Sequence, residues 1–186
     1  LFQENYKPLS TLLMTADTSP SHWVARFSED ADGSVLDLAC GGGRHSRHFL
    51  ALGCHVTAVD RDTSQMADIA DHPHLTLVEA DLEAEPPGWR PDPRSFAIVV
   101  VTNYLWRPLL PVLIDAVAPG GRLVYETFAR GNERFGKPSN PDFLLVPSEL
   151  RDAVADELEV LAFEEGETDE PRPAVIQRIC AIRAEN

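Results

Sequence analysis

Val35-Leu36-Asp37-Leu38-Ala39-Cys40-Gly41-Gly42-Gly43-Arg44 is the stretch that decides the fold of this chain. It starts as an apolar strand, Ser34 to Ala39, interrupted by one carboxylate, and breaks at three consecutive glycines. Helical spacing resumes from His45 to Leu52. Glycines in a strand-to-helix turn let a ligand approach the backbone closely, and the helix N-terminus behind them offers N–H groups with no internal partner. A second strand, His55-Val56-Thr57-Ala58-Val59, ends at Asp60. An acid roughly twenty residues beyond such a turn can accept hydrogen bonds from both hydroxyls of a ribose. The pattern predicts a nucleoside-containing ligand without saying which one.

Upstream of this unit, Ser19-Pro20 reads as an N-cap followed by Pro at the first helical position, with a helix continuing through Trp23, Val24 and Phe27. Asp32-Gly33 is a turn. Downstream, Ser64 to Ala70 is expected to be helical, and Leu75-Thr76-Leu77-Val78 is a third strand closed by Glu79-Ala80-Asp81. Glu85 to Pro93 is proline-rich and must be loop. The continuous apolar run Phe96 to Val101 suits a central strand buried on both faces. A helix from about Pro108 to Val117 should stop at Pro119-Gly120-Gly121, before a fifth strand over Arg122 to Phe128. Ser148 is expected to N-cap a further helix, with Arg151 at the capping-box position. Leu158 to Phe163 and Ala174 to Ile182 have no helix between them and should pair antiparallel, with the acidic run Glu164 to Glu170 as a solvated turn. Strands alternating with helices imply an α/β fold: a doubly wound, seven-stranded, mostly parallel sheet with an antiparallel last strand, in a single domain over residues 1–186.

Composition narrows the partners. Thirty acidic residues against 16 basic ones give a formal net charge of −14. A protein that holds a nucleic-acid backbone unaided displays a basic face, so nucleic acid is not the expected substrate. A small molecule, or a protein with a basic surface, fits this charge better. The three cysteines, Cys40, Cys54 and Cys180, have no paired spacing, which argues against a disulfide framework or zinc cluster and agrees with a reducing cytoplasm. No apolar run approaches the roughly 20 residues of a membrane span. Leu1-Phe2-Gln3-Glu4-Asn5-Tyr6 lacks the basic and apolar regions of a secretory signal, and the absence of an initial Met implies that further residues precede Leu1.

The same residues carry a family resemblance. Leu36 to Arg44 resembles the first motif, D-x-G-C-G-x-G, of class I S-adenosylmethionine (SAM)-dependent methyltransferases, with Ala39 in place of the usual first glycine. Asp60 is similar to the ribose-binding acid of that family, and Asp81-Leu82 to the acidic turn that flanks adenine. Val99 to Tyr104 resembles the fourth-strand motif, and Pro119 to Leu123 the proline-glycine-glycine turn before the fifth strand. The Gly-x-Gly-Arg form and the small size are similar to the bacterial tellurite-resistance-like methyltransferases. The resemblance implies SAM as cofactor, held by Asp37, Ala39, Gly41, Gly43, Arg44, Asp60, Arg61, Asp81, Leu82 and Asn103, and methyl transfer to a small-molecule acceptor by a cytoplasmic monomer or homodimer. A SAM-binding regulatory protein without transfer activity is the non-enzyme alternative. A nicotinamide-dependent oxidoreductase is a weaker one, since Ser46 stands where its third glycine should be. The base-methylating enzymes have Asn/Asp-Pro-Pro-aromatic after the fourth strand, whereas this chain reads Thr102-Asn103-Tyr104-Leu105.

Individual residues keep two readings at this level. Asp37 either faces the cofactor's ammonium group or caps the neighbouring loop. Arg44 either pairs with the cofactor's carboxylate or is solvated. By placement after strands four and five, Tyr104, Tyr125 and Glu126 are the candidate bases, and Arg107 the candidate contact for an anionic acceptor. His45 and His48 lie one helical turn apart without a third ligand, so no metal site is expected. Residues 129–147, too long for a mere connector, carry Arg130, Arg134 and Lys137. They are expected to wall the active site on the acceptor side.

Overall fold

The computed structural model describes residues 19–86 and 88–185; the readings made on Leu1 to Tyr6 and on Pro87 lie outside them. The described chain forms β1 (Ser34–Leu38), β2 (His55–Asp60), β3 (Leu75–Glu79), β4 (Phe96–Thr102), β5 (Val117–Phe128), β6 (Glu159–Thr168) and β7 (Ala174–Ile182). These make one sheet in the order β3-β2-β1-β4-β5-β7-β6. The first five run parallel, and β7 is inserted antiparallel between β5 and β6. The helices are α1 (His22–Arg26), α2 (Arg44–Ala51), α3 (Leu110–Ala116) and α4 (Glu149–Val154).

Alternation along the strands explains the layers. In β1, Leu36 and Leu38 pack into a core with Leu113 and Ile114 of α3 and Leu150 and Val154 of α4. Val35 packs on the opposite face with Trp23 and Val24 of α1 and Phe49 of α2. β4 is buried on both faces by the same rule: Val99 and Val101 point one way, Ile98 and Val100 the other. Chain order reverses between β1 and β4, so a crevice opens at their carboxyl ends, where ligands of open α/β sheets bind.

Several local expectations need correction. The N-cap of α1 is Ser21, not Ser19: its hydroxyl accepts from the Val24 amide at 3.1 Å. Ser64 to Ala70 is no α-helix but a single 3₁₀ turn, Ser64–Met66, and the chain soon turns into β3. Met66 is fully buried there, its side chain against the Gly43 backbone. Pairing of β5 begins at Val117, so Pro119-Gly120-Gly121 forms a bulge inside the strand rather than a stop before it. An added Cβ on Gly121 would lie 2.8–2.9 Å from the carbonyl oxygens of Ala97, Ala118 and Phe96, so only glycine fits. Ser148 has φ 62° and makes no side-chain cap; Glu149 instead accepts from the Val146 amide at 2.8 Å. The run from Glu164 to Thr168 is strand, not turn, because it continues the β6–β7 ladder. No helix among the described residues is long and apolar enough to cross a membrane.

Candidate active site

The glycine turn sits where β1 hands over to α2. Ala39 leaves the strand at φ 53°, a left-handed conformation that costs an ordinary residue about 1–2 kcal/mol and a glycine nothing. Ala39, in place of the usual glycine of the resembling motif, thus takes a conformation that favours glycine. Gly41 and Gly43 are also left-handed, at 53° and 75°. A Cβ on Gly41 would meet nothing within 4 Å, so the turn offers bare backbone to open space. The Cys40 amide ties the turn to the Val59 carbonyl at 3.1 Å, and the Gly41 amide donates to Asp60 Oδ2 at 2.8 Å.

Asp60 is thereby fixed from behind. Its other oxygen accepts from the Asp62 amide at 3.1 Å, and each carboxylate oxygen keeps a lone pair for a ligand. Asp60 lines a cleft of about 300 Å³ together with Ala39, Arg61, Asp81, Leu82 and Tyr104. Asp81 is set in a tight turn, its carboxylate accepting from the Glu83 amide at 2.9 Å. Tyr104 closes the cleft, its hydroxyl donating to Glu83 Oε1 at 3.3 Å. Burial and the Glu83 charge push the Tyr104 phenol well above its usual value. At physiological pH it is a neutral hydroxyl whose proton points to Glu83.

A second cleft, of about 570 Å³, is lined by Arg44, which follows the glycine turn, and by Asn103, which directly precedes Tyr104 of the first cleft. Asn103 is held left-handed at φ 55°, its amide donating to the Glu126 carbonyl at 2.9 Å. Glu126 reaches the cleft from the carboxyl end of β5 and pairs with Arg178 of β7 at 3.4 Å. Arg178 also grips Glu164 at 2.6 Å and lies over the Trp23 ring. His22, the first residue of α1, meets Glu170 of the β6–β7 turn at 3.2 Å. Phe128, Ile176 and Pro171 give the cleft an apolar wall.

Other sequence candidates lie elsewhere. Tyr125 is buried, its hydroxyl donating to the Tyr104 carbonyl at 2.8 Å and its phenol pushed far up by burial, so it supports the β4 end and is not a base. Arg107 does not face an acceptor. Its guanidinium binds Glu149 at 2.6 and 2.9 Å and the carbonyls of Asp142 and Leu144, pinning the loop ahead of α4. Asp37 takes the loop-capping role: it accepts from the Ser46 hydroxyl at 2.6 Å and also from the Ser46 backbone. Burial raises its pKa to about 6 against these bonds, and it lines neither cleft. His45 accepts from the Ser21 amide at 3.3 Å, its pKa lowered to about 3 by burial and the nearby Arg44, and His48 contacts the Ser28 hydroxyl at 2.7 Å. Among the described residues no group of three or more His, Cys, Asp or Glu is placed to hold a metal ion.

Residues 129–147 line neither cleft. They fold back on themselves through the Ala129–Leu145 bridge and the Asn132 bond to the Pro138 carbonyl, and Arg134 pairs with Glu167. The wall of the second cleft comes instead from the segment before α1 and the β6–β7 hairpin. Sequence reasoning missed Arg172, between the expected turn and last strand, and Arg178, inside the expected strand Ala174 to Ile182, because neither position pointed to a cleft.

Comparison with known proteins agrees with this geometry. Residues 35–121 match the model of a methyltransferase domain. Ribosomal protein L11 methyltransferase from Nitrosomonas europaea is 32% identical over 114 residues, 55% of this chain and 36% of the relative. Ubiquinone biosynthesis O-methyltransferase from Paraburkholderia phytofirmans is 30% identical over 117 residues, 58% of this chain and 50% of the relative. The chain thus spans half or less of the length of these curated relatives. TehB from Haemophilus influenzae shares the fold, with a TM-score of 0.66 at 21% identity over 86% of this chain and 61% of that one.

Proposed function

We propose that this chain, which carries a methyltransferase domain over residues 35–121 and has the class I Rossmann-like methyltransferase fold, transfers a methyl group from SAM to a small-molecule acceptor. The observation that carries the reading is a pair of clefts lined by residues at the carboxyl ends of the parallel strands. One is built around Asp60 beside Ala39, and the other is lined by Arg44, Asn103 and Glu126.

The first cleft suits the nucleoside end of the cofactor. Asp60, steadied by two backbone amides, has lone pairs left for the ribose hydroxyls. Asp81 and Leu82 flank the adenine, and Arg61 borders the ribose side. Ala39, Gly41 and Gly43 keep the backbone close to the ligand, and Asn103 shapes the boundary with the second cleft. Arg44, at the first turn of α2, is placed for the methionine carboxylate. Asp37 acts from behind by holding Ser46, and so the turn, in place.

SAM supplies an activated methyl group on a sulfonium: the acceptor's lone pair forms the new bond to carbon as the carbon–sulfur bond breaks, its electrons passing to sulfur. The chain's task is to align the acceptor and exclude water. Where the acceptor atom carries a proton, the Glu126 carboxylate is the group placed to take it. The concave second cleft, with polar floor and apolar wall, favours a small molecule over a protein side chain.

Incubating the protein with methyl-labelled SAM and a metabolite extract, then reading labelled species by mass spectrometry, tests this. Label on a small molecule is expected. Label only on protein would overturn the acceptor class. Bound cofactor with no transfer to any fraction would make the chain a binding protein.

A further inference from the structure

Resting on the methyl-transfer reading above, we propose that the acceptor is an amphiphilic anion and that Arg172 anchors its oxyanion in the second cleft. The chain as a whole is strongly acidic, yet three arginines and two glutamates line this cleft. Most of these charges are already answered. Arg178 is held by Glu126 and Glu164, and the Glu170 carboxylate lies 3.2 Å from the His22 imidazole. Arg44 adjoins the glycine turn and is assigned above to the cofactor. Arg172 is left over. It stands in the turn between β6 and β7, and its guanidinium has no hydrogen-bond or ion-pair partner among the described residues.

A guanidinium offers a rigid fork of donors that matches the two oxygens of a carboxylate or phosphate, and it stays charged at any physiological pH. Arg172 is exposed at the rim of the cleft, where it can meet an anion entering from solvent. Pro171 and Ile176 stand beside it in the same cleft, with Phe128. A ligand matched to this lining has an apolar body and one acidic group, with its methyl-accepting atom towards Glu126. An ammonium acceptor such as a lysine side chain would meet the Arg44 and Arg172 charges instead. Carboxylate and phosphate share the required chemistry, and the product's fragmentation tells them apart.

The test uses the acceptor found by isotope label, a form of it with the acid esterified or amidated, and the wild-type, Arg172→Gln and Arg172→Lys proteins. Loss of a charge-assisted bond in Arg172→Gln is expected to raise the acceptor KM by about tenfold or more, with kcat within about twofold. Arg172→Lys should recover part of the loss, and the S-adenosylhomocysteine Kd should not move in either variant. Blocking the acid should cost the wild type the same factor and cost Arg172→Gln nothing further. An acceptor that is neutral or cationic at pH 7, or an unchanged KM in Arg172→Gln, would overturn the assignment while leaving methyl transfer intact. Absence of any labelled product despite normal S-adenosylhomocysteine binding would instead remove the transfer reading itself, and this assignment with it.

Discussion

The two clefts are built in opposite ways. The first is assembled from short segments at the ends of consecutive parallel strands, each contributing residues that directly follow its strand: Ala39 after β1, Asp60 and Arg61 at the end of β2, Asp81 and Leu82 after β3, and Tyr104 after β4. The second gathers side chains from the segment before α1, the first turn of α2, β5 and the β6–β7 hairpin, from Ser19 to Arg178 in the chain. A cleft of the first kind binds through backbone and a few fixed acids, so its chemistry is set by turn geometry. One of the second kind depends on which long side chains meet across the gap, and it can change acceptor without disturbing the first.

That division can be broken by variants that fail to separate binding from transfer. The largest effect is expected for Glu126→Gln. Loss of a proton acceptor should lower kcat by about 10²–10⁴-fold for an acceptor that must lose a proton, with S-adenosylhomocysteine affinity retained. Single-turnover rates and a binding titration on the same preparation check this; a fall in both would mean that Glu126 belongs to the first cleft as well.

Asp37 tests the support behind the turn. Its folded pKa of about 6 lies above the unfolded value of 3.8 because burial disfavours the charge. The folded state therefore binds more protons between these values, so this group's contribution is fully present below about pH 4 and is lost as pH rises through about 6. In Asp37→Asn the loss is absent. The stability gap between the two proteins should shift towards the variant by up to roughly 3 kcal/mol between about pH 4 and pH 8. Urea denaturation at both pH values measures it, and a constant gap would show that Asp37 does not titrate in this range.

A smaller effect sharpens the contrast from the other side. Asp60→Ala removes the expected ribose acceptor and the partner of the Gly41 and Asp62 amides. It should cost about 1.5–3 kcal/mol of cofactor affinity, with the acceptor KM unchanged at saturating cofactor.

The same contrast explains what could be read from the sequence. Strand alternation, the apolar β4 run and the glycine turn are local signals, so the sheet and the first cleft were legible residue by residue. The β6–β7 ladder was foreseen, but its extent was not: Glu164, Glu165 and Glu167 look like turn residues, yet β6 is an edge strand whose exposed positions tolerate charge. Tyr125 and Arg107 stood in plausible catalytic positions. Their roles depend on which face of β5 a residue takes and on the fold of residues 129–147, neither of which a local pattern specifies. Arg172 and Arg178 required knowing that β7 lies against β5, a pairing across 50 residues of chain.

The proposed activity requires that the crevice at β1 and β4 bind SAM. Calorimetric titration of the protein with S-adenosylhomocysteine, and separately with NAD, tests it most directly. One saturable site for S-adenosylhomocysteine and no heat of binding for NAD is the expected result. Saturable NAD binding with none for S-adenosylhomocysteine would contradict it.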